Sequence, residues 1–107
     1  MSTSKEVHDK VMSLLEAACE VGDLFSRKMM GEYLLYYRGK LFGDLCDNRL
    51  LIKQTEASCR LLPDAPKQYP YAGSRTLMLL AEHPEDTALM RSLLEQMYPE
   101  LPEPKKK

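Results

Sequence analysis

The chain has 107 residues, 44% of them apolar, and a formal net charge of -1. That is enough for one domain with one modest core, and it leaves little room for a deep active site with its own supporting shell. The charge is far from the strong basic excess typical of nucleic-acid domains.

The N-terminal MSTSKEVHDK has no basic region leading into an apolar run, so no signal peptide is expected. Thr3 and Glu6 have the spacing of a capping box. Val7, Val11, Leu14, Leu15 and Ala18 then fall on one helical face, which predicts a helix over about 4–20, ended by Gly22. Leu24 to Met30 reads as a first strand, with Gly31 as a break or bulge. Tyr33–Tyr37 and Leu41–Cys46 are strands joined at Arg38-Gly39, and Leu50–Gln54 follows the Asp47-Asn48 turn. Gly, Asn and Asp tolerate the positive φ of two-residue hairpin turns, so this run reads as an antiparallel meander.

Thr55 to Leu62 is a short helix stopped by Pro63. PDAPKQYPYAG, with three prolines and a glycine, reads as a loop lying along the surface through Tyr69 and Tyr71. Arg75–Ala81 is a last strand. Pro84, Glu85 and Asp86 open a final helix with the apolar stripe Leu89, Leu93 and Met97. Residues 99–107 read as a flexible tail. The fold class is α+β: an antiparallel sheet of about five strands with flanking N- and C-terminal helices, in a single domain over 1–107.

Side chains alternate faces along a strand. Tyr33, Leu35 and Tyr37 face one way, Leu34 and Tyr36 the other, and Leu77 and Leu79 oppose Met78 and Leu80. Both faces are apolar, whereas a one-sided antiparallel sheet alternates apolar and polar. Two helices cover one face. The proline-rich loop or a second copy of the chain must cover the other, and a homodimer through the sheet or its edge is expected.

Basic residues concentrate on 27–53. Arg27, Lys28, Arg38, Lys40, Arg49 and Lys53 stand there against three acidic residues, whereas 1–26 has two basic against five acidic. Tyr33, Tyr36 and Tyr37 beside Arg38 and Lys40 resemble an aromatic-basic platform of the kind that stacks single-stranded nucleic acid. Tyrosine is also simply a good strand former. Cys46 sits next to Asp47, with Arg49 across the turn to supply the cation a reactive thiolate needs, although a half-buried strand cysteine is the commoner case. Cys19, Cys46 and Cys59 form no C-x-x-C pair, which argues against a zinc site or a disulfide framework and for a reducing compartment. His8 and His83 have no partner at metal-ligand spacing, and no phosphate-loop glycine pattern occurs. No cofactor, metal or catalytic residue is expected, no apolar run is long enough to span a membrane, and a cytoplasmic location follows.

Arg27-Lys28-Met29-Met30-Gly31-Glu32-Tyr33, continuing through Lys40, resembles the start of the TfoX N-terminal domain of the TfoX/Sxy competence-regulator family. There an R-x-M-F-G-G-Y-G-x-Y segment leads into a turn and further strands; Met30 stands at the Phe position, and Glu32 and Leu34 at the second and third glycines. Asp47–Lys53 resembles the family's D-x-x-L-Y-x-K strand, and Met97–Pro102 is similar to the tail of stand-alone short members. The likeness covers about residues 5–102. It implies an α+β domain, often dimeric, linked to transcriptional control of DNA uptake in bacteria, with no catalytic residues to carry over. The expected function is therefore a non-enzymatic regulatory domain acting through protein–protein contact. Tyr33, Leu35, Tyr37, Arg38 and Lys40 are the expected contact surface. The alternative is a nucleic-acid-binding module using the basic 27–53 segment.

Overall fold

A computed structural model describes residues 3–71 and 73–103. The elements run α1 (Lys5–Glu16), β1 (Leu24–Met29), β2 (Glu32–Tyr37), β3 (Lys40–Cys46), β4 (Arg49–Ile52), α2 (Glu56–Leu61), β5 (Lys67–Gln68), β6 (Met78–Leu80) and α3 (Thr87–Met97), closed by a 3-10 turn at Tyr98–Glu100. The class is the expected α+β, with one antiparallel sheet in the order β1-β2-β3-β4-β6-β5. The strand added to the expected five is β5. It lies inside the segment read as a loop, where two residues between prolines pair with the outer side of β6.

Three two-residue turns build the meander. Met30-Gly31, Arg38-Gly39 and Asp47-Asn48 all hold positive φ at both positions, the geometry that matches strand twist in tight hairpins. Gly31 is thus half of a hairpin turn and not a bulge. The bulge lies elsewhere, where β3 crosses Leu35/Tyr36 of β2. One extra residue re-phases β3, so Phe42 and Leu45, three apart, are both buried.

The helix start also differs from expectation. Ser4, not Thr3, caps α1 by accepting from the Val7 N–H at 3.2 Å. Thr3 is buried, and its hydroxyl accepts from the Asn48 N–H at 3.1 Å, while Asn48 Oδ1 accepts from the Ser4 N–H. The chain start is thereby tied to the β3–β4 turn. At α2, Thr55 and the fully buried Ser58 form a reciprocal capping box.

The core lies on one side of the sheet. Val11, Leu15 and Ala18 of the α1 region and Met90, Leu93, Leu94 and Met97 of α3 pack on Tyr33, Leu35, Tyr37, Leu45, Ile52 and Leu79. The expected tail does not begin at 99. Leu101 is buried in this core, and Glu100 accepts from the Ala57 N–H at 2.9 Å, satisfying an open donor at the start of α2. Residues 104–107 of that expected tail lie outside the described residues.

Candidate protein-interaction face

Strand register sorts the second face into three rows. The first is Phe25, Tyr36 and Leu41; the second Arg27, Leu34, Asp44 and Leu51; the third Met29, Glu32, Cys46 and Arg49. The proline-rich segment covers one end of this outer face. Arg49 holds it: the guanidinium donates to Gln68 Oε1 at 2.7 Å and to the carbonyls of Tyr69 and Pro70. Cys46 Sγ donates to the Pro70 carbonyl at 2.7 Å. Beneath lies a small second cluster of Cys46, Leu51 and Met78.

The end formed by β1, β2 and the start of β3 has no such cover. Phe25 is 60% exposed, Met29 41% and Met30 96%, and Tyr36 and Leu34 are half-buried beside them. The Phe25 and Tyr36 ring centres are 6.0 Å apart. A contiguous apolar patch of this kind marks interaction surfaces more often than scattered single residues do. Asp44 sits in the same face, its carboxyl pushed up to about 6, first by burial and then by the Glu32 carboxylate.

The expected contact surface lies elsewhere. Tyr33, Leu35, Tyr37 and Lys40 are all buried, because their parity on the sheet is the one that α1 and α3 cover. Tyr33 stacks on His8 with ring centres 4.0 Å apart, and Tyr37 meets Tyr98 edge-on. Lys40 donates to the Tyr98 carbonyl. Of the five, only Arg38 is exposed, and it pairs with Asp23 at 3.0 Å. The open face of the sheet is one residue out of phase with the one expected to be free.

The six basic residues do not form one patch. Arg27 projects from the outer face, and Lys28 has the opposite parity. Arg38 sits in a turn, Lys40 is buried, Arg49 is committed to the loop, and Lys53 is half-buried on β4's continuation. The charge run is contiguous in sequence and dispersed in space.

One constellation escaped the sequence reading. His8 Nδ1 meets Asp9 Oδ1 at 2.9 Å, and His8 Nε2 meets Ser26 Oγ at 2.8 Å. The order Asp–His–Ser is that of a nucleophile relay. Here the Asp9 side chain is 55% exposed and also pairs with Lys5, while the imidazole lies flat on Tyr33. A carboxylate in open water orients an imidazole weakly. The contact joins α1 to β1. His83 bonds Glu85 at an exposed loop. Among the described residues, no three His, Cys, Asp or Glu side chains are placed to hold a metal, and no helix is long and apolar enough to cross a membrane. All three cysteines are free.

Fold and face together define a two-layer α+β domain with helices on one side of an antiparallel sheet and a partly open apolar face on the other. The chain is 35% identical over 78 residues to an uncharacterized 12.7 kDa protein in the trpE 5′ region of Spirochaeta aurantia, a match spanning 73% of this chain and 68% of that one. The chain belongs to the family of that spirochaete protein. No family model and no solved structure matches it.

Proposed function

We propose that the protein is a non-enzymatic interaction domain that presents the outer face of β1, β2 and β3 to a protein partner. The observation that carries this reading is the apolar run of exposed Phe25 with half-buried Tyr36 and Leu34, on a sheet whose other side is already filled by two helices. The resemblance of residues 27–40 and 47–53 to the TfoX N-terminal domain supports a role in transcriptional regulation, with competence as the process concerned. Three unpaired cysteines support a reducing, cytoplasmic setting.

The proposal includes a homodimer through the β1 edge. Antiparallel ladders alternate bonded and non-bonded pairs. The Arg38 N–H donates to the Asp23 carbonyl at 2.7 Å. Every second residue of β1 from Asp23 onward therefore bonds β2, and the backbone groups of Leu24, Ser26 and Lys28 point off the sheet. β1 is an edge strand without proline, able to pair with a second β1.

Site-specific photo-crosslinking in the host cell tests the reading, with the photoreactive side chain placed at Phe25, at Tyr36, or at Val21 as an exposed apolar control. Discrete adducts from the first two, absent from the third, are expected; twice the chain mass identifies the second copy. Adducts of the same pattern from all three positions, or from none, would sink it.

A further inference from the structure

Beside the Met30-Gly31 turn the outer face dips into a groove of about 520 Å³, lined by Met29, Met30, Glu32, Leu34, Asp44 and Tyr71. Its walls are exposed: Met30 is 96%, Tyr71 55% and Met29 41% accessible. Methionine is flexible and polarisable, and it recurs on surfaces that adapt to apolar side chains. Two carboxylates from adjacent strands stand within it. Neither Glu32 nor Asp44 takes part in an ion pair among the described residues.

The neighbouring cations do not neutralise the pair. Arg49 is committed to the loop carbonyls and Gln68. Lys53, just past β4, acts on Asp44 less than burial and Glu32 do. Arg27 stands on β1, with Leu34 between it and Asp44 across the sheet. The groove thus combines apolar walls with a negative floor that Lys53 offsets only in part.

We propose that this groove holds a polypeptide segment bearing a lysine or arginine between apolar residues, the cation seated at Glu32 and Asp44 and its apolar neighbours against Met29, Met30 and Tyr71. The proposal rests on the outer-face reading and names its partner's chemistry. Like charges on a partly dehydrated surface repel, and a cation placed between them relieves that repulsion. An acidic partner would add to it, which gives selectivity as well as attraction. The raised titration of Asp44 fits the same arrangement. A carboxyl titrating at about 6 is ionised about tenfold less at pH 5 than at pH 7.5, so capture of the cation weakens on acidification.

The test is amide-resolved NMR of the full chain titrated with three synthetic peptides, GSLRLSG, GSLELSG and GSSRSSG. At pH 7.5 only the first is expected to shift the amides of Glu32, Leu34 and Asp44. Its binding should weaken by up to about tenfold at pH 5, the fall in ionised Asp44. Asp44→Asn should weaken it at pH 7.5 and remove most of the pH dependence. Equal shifts from the arginine and glutamate peptides would overturn the charge selectivity and leave the outer face standing as an apolar surface. No groove shift from any peptide, alongside discrete crosslinks from Phe25 and Tyr36, would overturn this proposal alone. Groove shifts that appear on concentrating the protein without peptide would assign the groove to a second copy, and likewise overturn it.

Discussion

Lys40 Nζ lies 4.3 Å from the centre of the Tyr98 ring and donates to the Tyr98 carbonyl oxygen at 3.2 Å. The Arg38 guanidinium lies over the same ring at 5.8 Å, and Tyr37 meets it edge-on. The β2–β3 turn is thereby fastened to the end of α3, and a lysine that reads as a surface cation becomes a buried one. Lys40→Met keeps the aliphatic stem and removes the charge-assisted contacts. It should cost about 1–2 kcal/mol, seen as a lower urea midpoint at unchanged slope. Glu103 also reaches Lys40, but its side chain is 84% exposed, so Glu103→Gln should change stability by less than about 0.5 kcal/mol.

Gly43 is fixed by a different constraint. It is buried on β3, where a Cβ would land inside the contact distance of the Leu51 carbonyl oxygen, a backbone atom of β4. The neighbour cannot rotate aside, so the strands must separate or the ladder must break. Gly43→Ala should destabilise by about 3 kcal/mol or more, read as a fall in the thermal midpoint or as failure to accumulate folded protein. Gly73→Ala is the useful contrast. That position has open space and a strained φ of +89°, so its cost should stay near 1 kcal/mol.

What the sequence made legible follows from the physics of each element. Arg38-Gly39 and Asp47-Asn48 announced their turns because positive φ selects residue type strongly and locally. The helix faces of α1 and α3 were legible from periodicity. The parity of the sheet was not. β2 is apolar on both sides, so nothing within Tyr33–Tyr37 says which side meets the helices, and the choice of Tyr33, Leu35 and Tyr37 as the free face put the contact surface in the core. Lys40 reinforced that choice, since its burial depends on a tyrosine 58 positions away. The clasp of Arg49 on the proline-rich loop was equally hidden. Phe25 and Arg27 alternating with Ser26 and Lys28 carried the available signal, because an exposed aromatic on an edge strand is unusual.

The three thiols should react at different rates. Burial first, and then Asp23, push the Cys19 thiol up to about 11. Burial and Glu32 also raise Cys46, with the Arg49 cation only partly opposing. Cys59 is exposed. Because the thiolate is the attacking species, maleimide at neutral pH should modify Cys59 at least about tenfold faster than either of the others in the native chain. Peptide mapping at short times checks this. Preferential labelling of Cys46 would instead reinstate it as an activated nucleophile.

Asp44 makes a stability prediction whose sign is the reverse of the usual carboxylate case. Its folded value of about 6 lies above the ordinary 3.8, so the native state binds more protons than the unfolded chain between these limits. Stability rises with pH only where the unfolded state binds more protons, so here this group's contribution falls as pH climbs from about 4 to about 6, and it stays low above that. The favourable state of this carboxyl is the neutral one, held by a dehydrated face and a like charge at Glu32. Asp44→Asn should therefore stabilise the protein at pH 7.5, by about 1 kcal/mol once solvent screening is allowed for, and leave it unchanged at pH 4. Urea unfolding at both pH values measures this, and a variant less stable than the parent at pH 7.5 would contradict it. The ionised carboxyl is thus a cost to the fold that the amide of Asn does not carry, and the difference between the two pH values isolates that cost from any change in packing.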